Sequence, residues 1–111
     1  MKIEFNKIEP TVINNFKGGE KYISAKMITD DNNKIMKSVL VPGASIGSHI
    51  HDVYSEIIFI LNGTGTVICD GKEEIVKSGD CHYCPKGSVH TLMNQGQEEL
   101  VFYAVVPNHQ A

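Results

Sequence analysis

The sequence lacks the features that membrane, secreted and nucleic-acid-binding proteins use. Its apolar runs, such as residues 57–61, are far too short to span a bilayer, and no apolar stretch precedes a signal-cleavage site near the N-terminus. The three cysteines are an odd number without the spacing of a disulfide framework. The net charge of −3 is scattered, whereas a nucleic acid or an anionic membrane would need a clustered basic face. These absences favour a cytoplasmic protein with reduced thiols and no nucleic-acid or membrane partner.

Helical patterns are also nearly absent, since no window shows an apolar stripe at helical spacing. Short β-rich runs separated by turn residues take their place, at residues 22–29, 34–41, 56–61, 64–69, 80–84 and 100–106. The dipeptides Asn62-Gly63 and Asp70-Gly71 are typical of tight hairpin turns. A length of 111 residues fits one domain, covering 1–111. The pattern predicts an all-β sandwich or barrel.

The first 20 residues carry the weakest pattern. They are open to three interpretations: an edge strand, an ordered arm, or a segment exchanged with a second subunit. Because open sheet edges and this unplaced segment both need cover, we expect a homodimer.

Histidine residues suggest a metal site. His49 and His51 are two positions apart in an extended context, so their side chains share one face of a strand, roughly 6–7 Å apart. Two imidazoles at that separation are able to bind one ion, although such a pair is also compatible with surface or hydrogen-bonded histidines. Glu56 opens the next β-run, and His90 lies far downstream after its own turn. Three imidazoles and one carboxylate would suit a transition metal better than calcium or magnesium.

The residues around this set follow two fixed patterns. The first runs from Gly43 to Gly63 and contains His49, His51 and Glu56. The second runs from Gly79 to Asn94, and its fixed positions are Gly79, Pro85, Gly87, His90 and Asn94. Both patterns resemble the two motifs of the cupin superfamily, motif 1 at 43–63 and motif 2 at 79–94, with every fixed position filled. A chance match at this many positions is negligible, because each residue type makes up only a small part of an average protein.

The resemblance implies a jelly-roll barrel, also called a double-stranded β-helix, with a metal inside one open end. It implies that His49, His51, Glu56 and His90 are the ligands of one divalent transition metal, such as Mn, Fe, Zn or Ni. Four protein ligands around an octahedral ion leave two adjacent positions for a small molecule. Glu56 is also a candidate catalytic residue, since it would transfer a proton if it detached from the metal. Asn94 is expected to make structural hydrogen bonds.

A second cluster, Cys81-His82-Tyr83-Cys84, is a weaker candidate for zinc or redox chemistry. In a strand Cys81 and Cys84 point to opposite faces and would not bind one ion without a bulge. Buried cysteine is common as a small apolar residue, which is the interpretation we prefer here. His82 shares a face with Cys84 and has no assigned role.

Several functions fit the sequence. The first is a metal-dependent enzyme acting on a small organic substrate, either an oxygenase or a sugar isomerase or epimerase. The second is a non-catalytic module that binds a sugar or another small molecule, and the third is a metal-stabilised structural protein. With Glu56 and His90 facing inward, alternation predicts that Ile58, Ile60 and Leu92 also face inward. Tyr83, Met93, Phe102 and Tyr103 are candidates for the pocket rim or wall.

Overall fold

The structure, a computed structural model, describes residues 1–110. Ten strands and two short 3-10 helices, Phe5–Lys7 and Phe16–Gly18, make up its regular elements. The strands are β1 (Thr11–Asn14), β2 (Tyr22–Thr29), β3 (Asn33–Leu40), β4 (Ser45–Ile50), β5 (Glu56–Asn62), β6 (Thr64–Cys69), β7 (Lys72–Lys77), β8 (Cys81–Cys84), β9 (Val89–Met93) and β10 (Leu100–Pro107). The predicted β-runs agree with these strands to within one residue at each end.

The strands form two antiparallel sheets. The larger has the order β1-β2-β3-β10-β5-β8 and the smaller β4-β9-β6-β7. Chain neighbours such as β3 and β4 lie in different sheets, so the chain passes repeatedly from one sheet to the other. This is the all-β jelly-roll barrel that the sequence predicts.

Alternation along β5 shows how the sequence fills the barrel. Ile58 and Ile60 are buried, whereas Phe59 and Leu61 face outward. Leu92 on β9, in the opposite sheet, is also buried. The three inward positions predicted from the sequence are therefore confirmed. The fully buried side chains Ile23, Leu40, Ile58, Leu92, Leu100 and Phe102 form the centre of the apolar core.

Two turns have the backbone that their residues favour. Asp70 and Gly71 both have positive φ, as a two-residue hairpin between β6 and β7 requires. The hairpin predicted at Asn62-Gly63 is wrong, because this turn joins β5 of the larger sheet to β6 of the smaller one. Gly63 nevertheless has positive φ, and a Cβ atom there would clash with the Glu99 carbonyl oxygen. A larger residue at position 63 would therefore force the backbone apart.

The N-terminal segment contributes an edge strand. β1 pairs antiparallel with β2 at the end of the larger sheet, which matches one of the three predicted interpretations. The Phe5 ring lies 5.5 Å from that of Tyr103 on the outer face of the same sheet. Within residues 1–110, no helix is long and apolar enough to cross a membrane.

Candidate metal centre

The four predicted ligands meet inside the barrel although they come from three separate parts of the chain. His49 lies on β4 opposite His90 on β9, and His51 directly follows β4. Glu56 is the first residue of β5 in the facing sheet. One donor atom from each of the four lies within 4.8 Å of every other, so the group could hold a metal ion.

Short distances join the donor atoms. His51 Nε2 lies 3.0 Å from both His49 Nε2 and His90 Nε2. Glu56 Oε1 lies 2.9 Å from His90 Nε2, 3.2 Å from His51 Nε2 and 4.0 Å from His49 Nε2. Three imidazole nitrogens and a carboxylate oxygen therefore point at one common centre.

These distances fit a metal ion with octahedral ligands. Two ligands at about 2.1 Å from an ion lie about 3.0 Å apart when they are neighbours at right angles and about 4.2 Å apart when opposite. Four of the five separations match the neighbouring value, and the pair Glu56–His49 matches the opposite value. The mixed N and O donor set also suits a transition metal. An octahedral ion held by these four groups would keep two further positions for a small molecule.

Hydrogen bonds orient two of the three imidazoles from behind. His49 Nδ1 lies 2.7 Å from the Gly47 carbonyl oxygen, and His90 Nδ1 lies 2.9 Å from His82 Nε2. When Nδ1 carries the proton and donates it, the lone pair of Nε2 is free for a metal. Contacts of this kind are typical of metal-binding histidines.

Burial and mutual charge set the ionisation of the group. Burial alone would raise the pKa of Glu56, but hydrogen bonds from His51 and His90 and the charge of those rings lower the pKa to about 2. Burial lowers the pKa of His49, against the opposing effect of its bond to the Gly47 carbonyl. The group is thus arranged as an ionised carboxylate facing a neutral imidazole at neutral pH, the protonation state that metal binding requires.

A cavity of about 520 Å³ leads to this group and is lined by His49, His51 and Glu56. Its inner wall is apolar and is formed by Ile23, Met36, Ile46, Phe102 and Val106. Its mouth combines the exposed apolar residues Ile50 and Tyr54 with polar ones: Lys17, Asp30, Asp31, Asn32, Lys34, Asp52 and Asn108. A ligand would therefore enter past polar groups and meet the histidines against an apolar wall.

The C-terminal residues connect the loops at the cavity mouth. Asn108 donates its backbone N–H to the Asn32 carbonyl in the β2–β3 loop at 2.7 Å. His109 donates its own N–H to the Val53 carbonyl at 2.7 Å, and its Nε2 lies 2.8 Å from Ser55 Oγ. These bonds hold the loop before Glu56 against the β2–β3 loop.

Of the four residues expected to form the rim or wall of the pocket, Phe102 alone lines the cavity. Tyr83 and Tyr103 lie on the outer face of the larger sheet, where Tyr83 is exposed. Met93 borders a shallow depression elsewhere. The expectation is wrong for these three because they fall on the opposite strand face or beyond the reach of the cavity. Asn94 makes the structural hydrogen bonds expected of it, since its buried amide donates to the Leu40 and Glu98 carbonyls at 2.8 Å.

The strand containing Cys81 and Cys84 has the predicted alternation: Cys81 is exposed and Cys84 is buried. However, Cys84 and His82 meet Cys69 from β6, and one donor atom from each lies within 4.8 Å of the others. Spacing along the chain gives no sign of this group, because Cys69 lies on a strand of the other sheet. Burial and the neighbouring Cys69 thiol raise the pKa of Cys84 to about 12.

Comparison with known proteins identifies relatives over most of the chain. Residues 36–106 match the family model described as "Cupin domain". A Thermotoga maritima protein named "Oxalate-binding protein" is 32% identical over 112 aligned residues, which cover 96% of this chain and 93% of that protein.

Solved structures agree with the sequence comparison. A crystal structure of a protein described as "a predicted oxalate decarboxylase" from Thermotoga maritima has a TM-score of 0.91 and 29% identity, covering 97% of this chain and 99% of that one. The polyketide cyclase RemF from Streptomyces resistomycificus has a TM-score of 0.80 at 18% identity, covering 96% of this chain and 78% of that one, a likeness of fold alone.

Proposed function

Because this chain belongs to the cupin domain family, we propose that it holds one divalent transition metal and uses it to bind a small dicarboxylate such as oxalate. The ligands of the metal are His49, His51, Glu56 and His90. The metal, when bound, supplies a positive charge and two adjacent positions for oxygen atoms.

The observation that carries this proposal is the convergence of the four donor atoms at octahedral separations. Buried histidines and carboxylates normally find separate hydrogen-bond partners. Here the three Nε2 atoms and Glu56 Oε1 converge on one another, and two of the nitrogen pairs lie 3.0 Å apart. A cation at that point satisfies all four donors at once.

Charge favours an anion as the ligand. The four protein groups bring one negative charge to a divalent ion, so the centre keeps a net positive charge inside the barrel. Oxalate brings two negative charges, which more than offset that positive charge, and its neighbouring oxygens fit two adjacent positions, whereas a neutral sugar offers no such compensation. The name of the Thermotoga maritima relative supports the same class of ligand.

The chain's own residues define the rest of the ligand site. The sequence contains no arginine, so no planar guanidinium is available to clamp a second carboxylate. Lys17 and Lys34 are the cations at the mouth of the cavity, and the wall beyond the histidines is apolar. In the proposed site the metal therefore supplies most of the affinity, and the apolar wall determines the shape of the site and excludes water.

Binding without turnover is the function we favour over catalysis. Among the described residues that line the cavity, Glu56 is the one buried carboxyl group, and its Oε1 atom faces the imidazoles. That atom lies 2.9 Å from His90 Nε2 and 3.2 Å from His51 Nε2, a position that suits a permanent metal ligand rather than a proton donor. A role of Glu56 in catalysis, and an oxygenase or isomerase activity, remain predictions from the sequence.

Calorimetry with oxalate tests the proposal. Protein loaded with Mn²⁺ should bind one oxalate per chain, and protein stripped with a chelator should bind none. Acetate, which has one carboxylate, is the matched control and should bind much more weakly to the loaded protein. Equal oxalate binding with and without Mn²⁺ would show that the metal does not bind the ligand. Equal binding of acetate and oxalate would show that a second carboxylate is not recognised.

We also retain the homodimer as part of the proposal. Phe59, Leu61 and Tyr83 are exposed together on the outer face of β5 and β8, with Phe59 beside Tyr103 and Ile57 beside Tyr83 in the sheet register. Burying such a face against a second copy would remove apolar surface from water. A cytoplasmic location likewise stays a prediction.

A further inference from the structure

Cys69, His82 and Cys84 form a second group of metal-binding side chains inside the barrel. One sulfur from each cysteine and one ring nitrogen of His82 lie within 4.8 Å of one another. Cys84 and His82 are buried, and Cys69 is half-buried. None of these side chains belongs to the ligand set of the first centre, formed by His49, His51, Glu56 and His90, although His82 contacts His90.

The fold brings the three residues together from both sheets. Cys69 ends β6 and pairs with His90 across the smaller sheet. Cys84 ends β8 and pairs with Glu56 across the larger sheet, while His82 lies two residues before it on the same strand face. Two thiols and an imidazole therefore meet at the back of the first centre, between the two sheets.

We infer that Cys69, His82 and Cys84 form a second metal site, which takes a soft ion such as Zn²⁺, Cd²⁺ or Cu⁺. Thiolates select these ions over Mn²⁺, which prefers oxygen and nitrogen ligands. Sulfur ligands of one zinc ion lie about 2.3 Å from the metal and about 3.8 Å from each other in a tetrahedron, a spacing that small rotations of these side chains reach.

Charge balance supports the assignment. Two thiolates and a neutral imidazole bring two negative charges, which neutralise a divalent ion in a buried position. Metal binding displaces the two thiol protons to solvent, so the site loads with release of protons and without an oxidant. Three protein ligands leave a fourth position for water or an added thiol.

His82 links the two groups. Its Nε2 atom lies 2.9 Å from His90 Nδ1, and Nδ1 of His82 is free to bind the soft ion when Nε2 keeps the ring proton and donates it to His90. A metal at His90 Nε2 needs the shared proton on His90 Nδ1 instead, so the two centres would compete for its position. The first centre would select a harder ion through its nitrogen and oxygen ligands, and the second would select a softer ion through its two sulfurs.

Cadmium titration of the reduced full-length protein tests the inference, because cadmium bound to thiolate has an ultraviolet charge-transfer absorption that nitrogen and oxygen ligands do not produce. The wild-type protein should develop this absorption and saturate at one thiolate-bound Cd²⁺ per chain. Cys69→Ser and Cys84→Ser should lose it. Cys81→Ser, which changes the exposed cysteine on the opposite face of β8, is the matched control and should keep it.

The double variant His49→Ala/His51→Ala separates this site from the first centre and should also keep the absorption. Circular dichroism checks folding; if Cys84→Ser fails to fold, the half-buried Cys69→Ser decides the result. Absence of the absorption in the wild type, its survival in folded Cys69→Ser, or its loss in Cys81→Ser would overturn the inference.

Discussion

Nε2 of His82 lies 2.9 Å from Nδ1 of His90, and both side chains are buried. His90 directs its other nitrogen, Nε2, toward Glu56 Oε1 at 2.9 Å. The contact therefore fixes the ring orientation of His90, and a proton on His90 Nδ1 would leave Nε2 free for a metal. His82 is a positioning residue for the first centre.

Replacing His82 tests this role. His82→Phe should weaken Mn²⁺ binding by about 10- to 100-fold, the loss typical of removing a partner behind a metal ligand. His82→Gln keeps a polar group and should recover part of the affinity. Mn²⁺ titration followed by electron paramagnetic resonance measures both. If both variants lose stability equally and neither changes Mn²⁺ affinity in the folded protein, His82 is structural only.

Glu56→Gln should weaken Mn²⁺ binding by more than about 100-fold, beyond the loss expected for a residue behind the ligands. The carboxylate is the one anionic member of the group, and its pKa near 2 keeps it charged at any physiological pH. Isothermal titration with Mn²⁺ measures the change. Glu73→Gln, which alters an exposed carboxylate on β7, is the control and should bind Mn²⁺ like the wild type. An unchanged affinity in Glu56→Gln would remove Glu56 from the ligand set.

The metal-free protein should lose stability in acid. Burial lowers the pKa of His49 and of His82 from the ordinary value of 6.5, so the unfolded chain binds protons at a higher pH than the folded one. The two histidines therefore do not change the stability above about pH 6.5, and the free energy of unfolding decreases as the pH drops below that value. The depressed pKa of Glu56 acts in the same direction at lower pH: its contribution to stability is fully present above its ordinary value of 4.5 and is lost as the pH falls toward 2.

Thermal unfolding of chelator-treated protein measures how stability depends on pH. The scans should run from about pH 8 to about pH 5, because this range spans the ordinary histidine pKa of about 6.5. The midpoint should be level above that value and fall below it. His49→Gln should make the curve flatter over the same range. A midpoint that rises on acidification would contradict the assignment of these pKa directions.

Tyr83→Glu should convert the proposed homodimer into a monomer, because it places a charge in the exposed apolar face formed with Phe59 and Leu61. Light scattering after size-exclusion chromatography gives the mass. Ile75→Glu, an equally exposed apolar position on the smaller sheet, is the control and should remain dimeric. A wild-type chain that is monomeric at micromolar concentration would end the dimer proposal.

Sequence alone predicts most of the barrel because its signals are local. The turns at Asn62-Gly63 and Asp70-Gly71 and the alternation along β5 fix strand limits and inward faces without reference to distant residues. The four candidate ligands are also visible in the sequence, since each lies at a fixed distance from a glycine or proline turn.

Contacts between sheets are what the sequence does not reveal. Cys69 meets His82 and Cys84 because β6 and β8 belong to different sheets, and no spacing along the chain encodes that approach. The prediction that Tyr83 lines the pocket is wrong for a related reason. On the edge strand β8, His82 and Cys84 face the barrel interior and Tyr83 faces outward. The cavity mouth depends on backbone bonds from Asn108 and His109 to loops far away in sequence.

Metal analysis of protein purified without an affinity tag tests the central claim most directly. The wild-type chain should contain about one transition-metal ion at the octahedral centre, and the double variant His49→Ala/His51→Ala should fold and contain none there. Loading with Mn²⁺, which avoids the thiolate group, isolates this centre from the second one. A folded double variant that still retains one Mn²⁺ per chain would contradict the assignment of His49, His51, Glu56 and His90 as the ligands.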